Sequence, residues 1–386
     1  MQWRINEKKC VKKYEEPFFF IIIMTIYLFF SLYEGYILIL SSTTRWFLIF
    51  MIGYFIMFRK KIIIQRHQVL IICWYIYYFI SLSWTSPDAL NQAKLYIYTI
   101  TSMVLLFFFL AGIRYSEDFV MYLIKIYQIL SGMLGVCALF SNTMIGAGTR
   151  KVLVIFGKYM DPNNQVALFA IGTAISLNNL FCKKGKNKII DIMILGINSY
   201  GILMTGSRSG IVILFVQIIL VLLWKSKEQK WRKYIGKWAL IILGIFVMYC
   251  MIKQYLPQEV FERLFGLGNL KFTDGTEREL KWATGLEIWK THPIFGCGWG
   301  SYESHNTFLT FLIDTGIFGT VFIFITIIDI GIKALKKKSI LAILMMFTGL
   351  IPAFFIGAQN KRFFWNSLII PVIIISTVQN KKIDMR

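Results

Sequence analysis

The sequence predicts an all-α, polytopic membrane protein with about twelve transmembrane helices, and three observations carry that prediction. Of the 386 residues 57% are hydrophobic and only 16% charged, whereas about a quarter of a soluble domain is charged. The apolar residues gather in long runs such as Phe18–Leu40, Leu95–Ile113 and Trp238–Ile252, and a helix needs about 20 of them to cross the hydrocarbon. Lys and Arg fall between the runs, as positive-inside topology requires. The whole chain, 1–386, reads as a single membrane domain.

Taken in order, spans are expected at 18–40, 44–58, 68–84, 95–113, 119–141, 163–181, 189–205, 210–224, 238–254, 305–332, 339–357 and 364–378. The first is longer than the apolar region of a signal peptide and no small-residue cleavage site follows it, so no cleavable leader is expected. The second and the last are short. The tenth is long enough to tilt or to leave the membrane as one continuous helix. With both termini in the cytoplasm, 27 basic residues lie in cytoplasmic segments and eight in short outer loops. This orientation leaves a smaller outer loop at 142–162 and a large one at 255–304. The net charge of +22 is then explained by topology and contact with anionic lipid, and no nucleic-acid partner is expected. No internal repeat is visible, which disfavours a transporter built from repeated halves. The six cysteines, Cys10, Cys73, Cys137, Cys182, Cys250 and Cys297, are scattered without paired spacing, so neither a disulfide framework nor a metal cluster is expected.

The large outer loop is where chemistry can sit. Pro257–Phe265 reads as a short amphipathic helix lying on the membrane surface. A second helix is expected to start at Thr276, with Glu279 completing a capping box, and to stop before Pro293. Its Trp282, Leu286 and Trp289 make one apolar face, while Arg278 and Lys281, three apart, share a neighbouring one. The Gly296, Gly298 and Gly300 alternation allows a tight path back to the membrane. Ser304 is a candidate N-cap that puts His305 in the first turn of the tenth span, where the positive helix end disfavours imidazolium. A neutral imidazole can take a proton as a general base. Outside that loop, Thr205-Gly-Ser-Arg208-Ser-Gly210 reads as a tight outer turn with Arg208 at its tip, suited to bidentate contact with phosphate. Asp161-Pro-Asn163-Asn164 reads as a turn and cap opening the sixth span.

Four of these segments, in this order, resemble the O-antigen ligase / Wzy-type polysaccharide polymerase superfamily: DPNNQVA at 161–167, TGSRSG at 205–210, Arg278 in TERELKW, and HPIFGCGWGSYESHNTFLTFLIDTGIFG at 292–319. The resemblance covers the C-terminal half, and the first 150 residues match only as a series of spans. It implies a GT-C-type, O-antigen ligase-like fold in the cytoplasmic (inner) membrane and a metal-independent, inverting glycosyl transfer on the extracytoplasmic face, with no cofactor. The implied donor is a glycan on undecaprenyl pyrophosphate and the partner substrate a glycan acceptor, with a flippase and a chain-length regulator as possible associates. By motif, Arg208 and Arg278 resemble the arginines that hold the pyrophosphate, and His305 the residue that orients or deprotonates the acceptor hydroxyl. Lys281, Asn306 and Asn163 are further substrate-binding candidates.

The chemistry agrees with those roles. A pyrophosphate leaving group gains charge as the anomeric bond breaks, so fixed guanidiniums favour the transition state over the ground state. Polymerisation of lipid-linked repeat units is the favoured reading. Ligation of the glycan to a lipid A core, protein or wall acceptor is the alternative. A lipid-linked oligosaccharide flippase is a distant third, because it would need charged groups lining a midplane cavity, and the spans hold few ionisable residues, among them Glu34, Lys125, Asp314 and Asp329.

Overall fold

The computed structural model describes residues 17–37, 43–58, 62–146, 148–182, 188–226, 258–265 and 273–378. Among them the chain forms thirteen α-helices. They are α1 (Phe18–Tyr33), α2 (Thr43–Phe58), α3 (Arg66–Ile80), α4 (Pro87–Ala111), α5 (Glu117–Phe140), α6 (Pro162–Cys182), α7 (Lys188–Met204) and α8 (Arg208–Ser226), then α9 (Gln258–Phe265), α10 (Thr273–Thr291), α11 (Thr307–Lys336), α12 (Ile340–Ala353) and α13 (Arg362–Ile375). Eleven of the expected spans fall on α1–α8 and α11–α13, while the expected ninth, 238–254, lies outside the described residues. Helices α5, α6, α8 and α11 are long and apolar enough to cross a membrane by length and composition, and shorter apolar helices accompany them. The chain is a mostly helical, polytopic membrane protein.

Helix α6 is the hub of the bundle, packing against α5, α7, α8 and α12. It is apolar on every side and buried from Pro162 to Asn178 save for Asn164, the pattern of a helix enclosed by others. Because apolar surface gives helices little preference for one another over lipid, polar side chains add to the packing. Thr173 donates to Gln217 on α8 at 2.7 Å, and Ser131 on α5 donates to the Leu168 carbonyl at 2.7 Å. Gln128 donates to Ser176 at 2.8 Å and to Asp191 on α7 at 2.6 Å. A two-residue parallel ladder, Tyr115-Ser116 (β1) beside Thr377-Val378 (β6), joins the α4–α5 connection to the segment after α13. Between β1 and β6 in the chain, the smaller loop folds into two short hairpins. The first pairs Met144-Ile145 (β2) with Arg150-Lys151 (β3), and the second pairs Val154-Ile155 (β4) with Lys158-Tyr159 (β5).

The tenth span is not the continuous helix expected. Helix α11 is broken at Gly316, whose φ of 61° and ψ of −169° are non-helical, and the connector from α10 plugs the break. In an intact helix the N–H groups of Ile317 and Phe318 would bond the carbonyls of Ile313 and Asp314. Here Ile317 and Phe318 donate to the carbonyls of Pro293 and Ile294, at 2.9 and 3.0 Å, while Ile313 and Asp314 accept from Cys297 and Gly298, at 2.8 and 3.0 Å. Each freed backbone group finds a partner, as a break in an apolar setting requires. Only glycine fits the contact: a Cβ on Gly296 would lie 2.4–2.5 Å from backbone atoms of Gly316 and Asp314, and one on Gly316 would lie 2.3 Å from the Ile294 carbonyl. Past the break, Ile317–Lys336 rises about 30 Å, a full hydrocarbon thickness. Thr307–Thr315 is left as a separate short helix that carries the start of the site.

Aromatic packing holds this assembly from within. Trp299, 1% exposed, stacks on Tyr78 of α3 with centroids 4.1 Å apart. Trp74 contacts Phe311 of α11 at 5.1 Å and Trp365 of α13 at 5.9 Å. Asp314, buried at the break, accepts from the Tyr78 hydroxyl at 2.6 Å and from Ser301 N–H at 3.2 Å. The glycine run is therefore a clamp between α3 and the two halves of α11.

Candidate active site

His305 lies outside α11, not in its first turn. The helix starts at Thr307 and its N-cap is Asn306, whose Oδ1 accepts from the N–H groups of Phe308 and Leu309 at 3.0 and 3.2 Å. Ser304, expected to be the cap, instead donates to the Asn306 carbonyl at 2.9 Å. Asn outcompetes serine here because its side chain reaches two orphan donors from an extended backbone. His305 is pushed into the left-handed region, with φ of 54°. That conformation strains a residue other than glycine by about 1–2 kcal/mol and lifts the imidazole clear of the helix.

Helix α10 delivers the cations. It begins at Thr273, a turn earlier than the expected start at Thr276, and stops at Thr291 before Pro293 as expected. It meets α11 through Gly285, which faces Ile313, Leu309 and Ser304, and not through a face containing Leu286, which is 42% exposed. Arg278, Lys281 and Trp282 are half-buried, on the side that Gly285 turns toward α11. Lys281 Nζ lies 2.6 Å from His305 Nε2. An ammonium has only donors, so Nε2 accepts and the ring proton sits on Nδ1. Nδ1 in turn faces Glu303 Oε1 at 3.9 Å.

The electrostatics keep the ring neutral, though by a different route from the helix dipole. Desolvation comes first in holding His305 below its ordinary pKa of 6.5, followed by the Lys281 charge. Glu303 pulls it upward, Arg278 downward and Asp161 upward. So α10, the 303–305 loop and the residue before α6 all act on one imidazole. The sequence offers Asp161 only as part of a turn and cap, and it gives Glu303 no role. Asp161 stands in the DPNN segment, and Glu303 is an acid two positions before the histidine. Those are weak signals without a fold.

Arg208 sits at the first residue of α8 and is exposed, while Thr205, Ser207 and Ser209 around it are buried. Asn163 is 3% exposed and braces this turn. Its Oδ1 accepts from Ser207 Oγ at 2.7 Å, and its Nδ2 donates to Asp161 Oδ1 at 2.8 Å. Asn163 thus stands behind the site and connects Asp161, on the His305 side, with the residue preceding Arg208. Helix α9 is not simply laid on the membrane surface: Val260 and Leu264 are buried against the protein, and Arg263 donates to the Gly206 carbonyl at 3.2 Å. The outer loop's apolar stripe is satisfied by the bundle, and its cation secures the arginine turn.

His292 belongs to a different place. With Tyr77, Ile80, Trp84, Phe295 and Cys297 it lines a cleft of about 840 Å³ that contains none of His305, Arg278 and Arg208. Burial pushes the Cys297 thiol pKa up, so this cysteine is protonated at neutral pH.

Residues 192–324 match the family model Wzy_C, described as O-antigen ligase. The matched stretch contains Arg208, Arg278, Lys281, His305 and Asn306, while Asn163 precedes it. No curated protein matches the chain. Among solved structures, a chain reported under "Structural coordination of polymerization and crosslinking by a peptidoglycan synthase complex" is similar at 13% identity. That similarity spans 80% of this chain and 96% of the other, with a TM-score of 0.46.

Proposed function

Since residues 192–324 place the chain in the O-antigen ligase / Wzy superfamily, we propose that it is an inverting membrane glycosyltransferase that polymerises undecaprenyl-pyrophosphate-linked repeat units of a surface polysaccharide. One observation carries the reading: a neutral, strained His305 meets Lys281, with Arg278 in electrostatic reach, where α10 meets α11. In the proposed step His305 takes the proton of the acceptor hydroxyl. The hydroxyl oxygen bonds to the anomeric carbon, and the bond to the carrier breaks with its electron pair leaving on the pyrophosphate. Arg278 and Arg208 stabilise that charge as it grows, and Asn306 lies one residue from the base to meet the acceptor. The donor's lipid would lie among the apolar helices, and the site would face the extracytoplasmic side.

A midplane transport path has less support. Among the ionisable residues of the spans, Glu34 pairs with Arg362 at 2.7 Å, Asp329 with Lys333 at 2.9 Å, and Asp314 with Tyr78. The test is a purified-protein reaction with lipid-linked repeat units. New glycosidic bonds are expected from wild type and at least a hundred-fold fewer from Arg208→Ala, Arg278→Ala and His305→Ala, a factor in the range of single general-base or electrostatic deletions. Wild-type polymer from His305→Ala would refute the base. In cells lacking the protein, single repeats left on the carrier mark a polymerase, and full-length chains left on the carrier mark a ligase.

A further inference from the structure

Neither ring nitrogen of the proposed base is available in this structure. Nε2, which carries the lone pair, accepts from Lys281 at 2.6 Å, and Nδ1 is turned toward Glu303. A histidine whose only lone pair is covered by an ammonium cannot take a proton from a sugar hydroxyl. Lys281 is also the group best able to leave. It is a compact charge on a flexible four-carbon stem, three residues from Arg278 on the same side of α10. The attraction between an ammonium and a dianionic pyrophosphate exceeds that of a hydrogen bond to a neutral ring.

We infer that Lys281 caps His305 until a pyrophosphate-bearing donor draws the ammonium away, so that donor binding itself switches on the base. The inference rests on the glycosyl-transfer reading above. Once released, Nε2 faces the acceptor hydroxyl and receives its proton, while Lys281 joins Arg278 on the leaving pyrophosphate. In the empty site the base stays covered, so it cannot activate water or a stray hydroxyl. Besides Lys281, the charged groups acting on the ring are Arg278 from α10, Glu303 from its own loop and Asp161 from before α6.

The test reads the ring directly and needs no transfer. The full-length protein in detergent is treated with diethyl pyrocarbonate at about pH 7.5, above the ordinary histidine value, and modification of each histidine is followed by peptide mass spectrometry. Exposed His292 serves as the internal reference. His305 should react about ten-fold more slowly in wild type than in Lys281→Met, the scale of one charge-assisted hydrogen bond at a half-exposed position. Millimolar inorganic pyrophosphate should remove that difference by accelerating wild type and leaving Lys281→Met unchanged. Equal rates in wild type and Lys281→Met without pyrophosphate would overturn the cap, and an unchanged or slower wild-type rate with pyrophosphate would overturn the release. Should Lys281→Met fail to fold, Lys281→Gln takes its place. Loss of the cap in this assay leaves the glycosyl-transfer reading intact, whereas a purified wild-type protein that forms no glycosidic bonds from lipid-linked repeat units removes that reading whatever the labelling shows.

Discussion

Replacing Gly296 with alanine should detach the clamp from α11 while leaving the rest of the bundle folded. The residue has φ of 78°, and a Cβ there would sit 2.4 Å from Gly316 N and 2.5 Å from the Asp314 carbonyl carbon and oxygen. The left-handed backbone alone costs alanine about 1–2 kcal/mol. Relief of the clash moves the loop outward and opens the adjacent bonds from Cys297 to Ile313 and from Gly298 to Asp314. Each buried group left unpaired costs about 1–3 kcal/mol, so the docked loop is disfavoured by about 5 kcal/mol, more than three orders of magnitude in its population. Gly157→Ala is the control, because φ there is 73° and a Cβ would meet nothing within 4 Å, so only the backbone strain remains. The assay is the rate at which a membrane-impermeant maleimide labels Cys297, read by mass spectrometry beside polymer synthesis. Gly296→Ala should label far faster and make no polymer, with Gly157→Ala near wild type in both. A Gly296→Ala protein that labels and polymerises like wild type would refute the clamp.

Three further outcomes follow from the same geometry. The acid limb of kcat/KM reports His305 in the free enzyme, where Lys281 still covers the ring: its pKa lies below 6.5, so the base is competent above that limb and fails as pH drops through it. A limb above pH 6.5 in wild type would contradict a desolvated, cation-flanked ring. Asn163→Ala removes the bonds to Ser207 and Asp161, and the loosened arginine turn should lower the rate about ten- to a hundred-fold, short of the loss in Arg208→Ala. Arg263→Ala frees the Gly206 carbonyl and should reduce donor affinity by about ten-fold, the scale of one charge-assisted hydrogen bond, measured as KM for the lipid-linked substrate.

Hydropathy alone located most of the helical segments, because an apolar run has few other ways to satisfy its backbone in lipid. Arg278 and Lys281 were visible as a pair, since a three-residue spacing on a helix dictates a shared side. The break at Gly316 was not legible. A glycine inside an apolar run is ordinary in such helices, and what ruptures this one is Gly296, twenty residues earlier, approaching through space. The N-cap was misassigned because Ser304 and Asn306 are both good caps, and only the bend at His305 decides between them. Glu303, Asp161 and the bracing role of Asn163 depend on contacts between segments far apart in the chain, which local periodicity does not encode.

The exchanged hydrogen bonds at Gly316 also bear on how the protein enters its membrane. The ends of the broken α11 expose two donors and two acceptors, and each costs several kcal/mol if stranded in hydrocarbon. Their partners, Pro293 to Gly298, precede them in the chain and so leave the ribosome first. The loop is thus available as a template when the helix arrives, and α11 can settle in its broken form only where that template waits. Integration of the helix and assembly of the candidate site are thereby coupled.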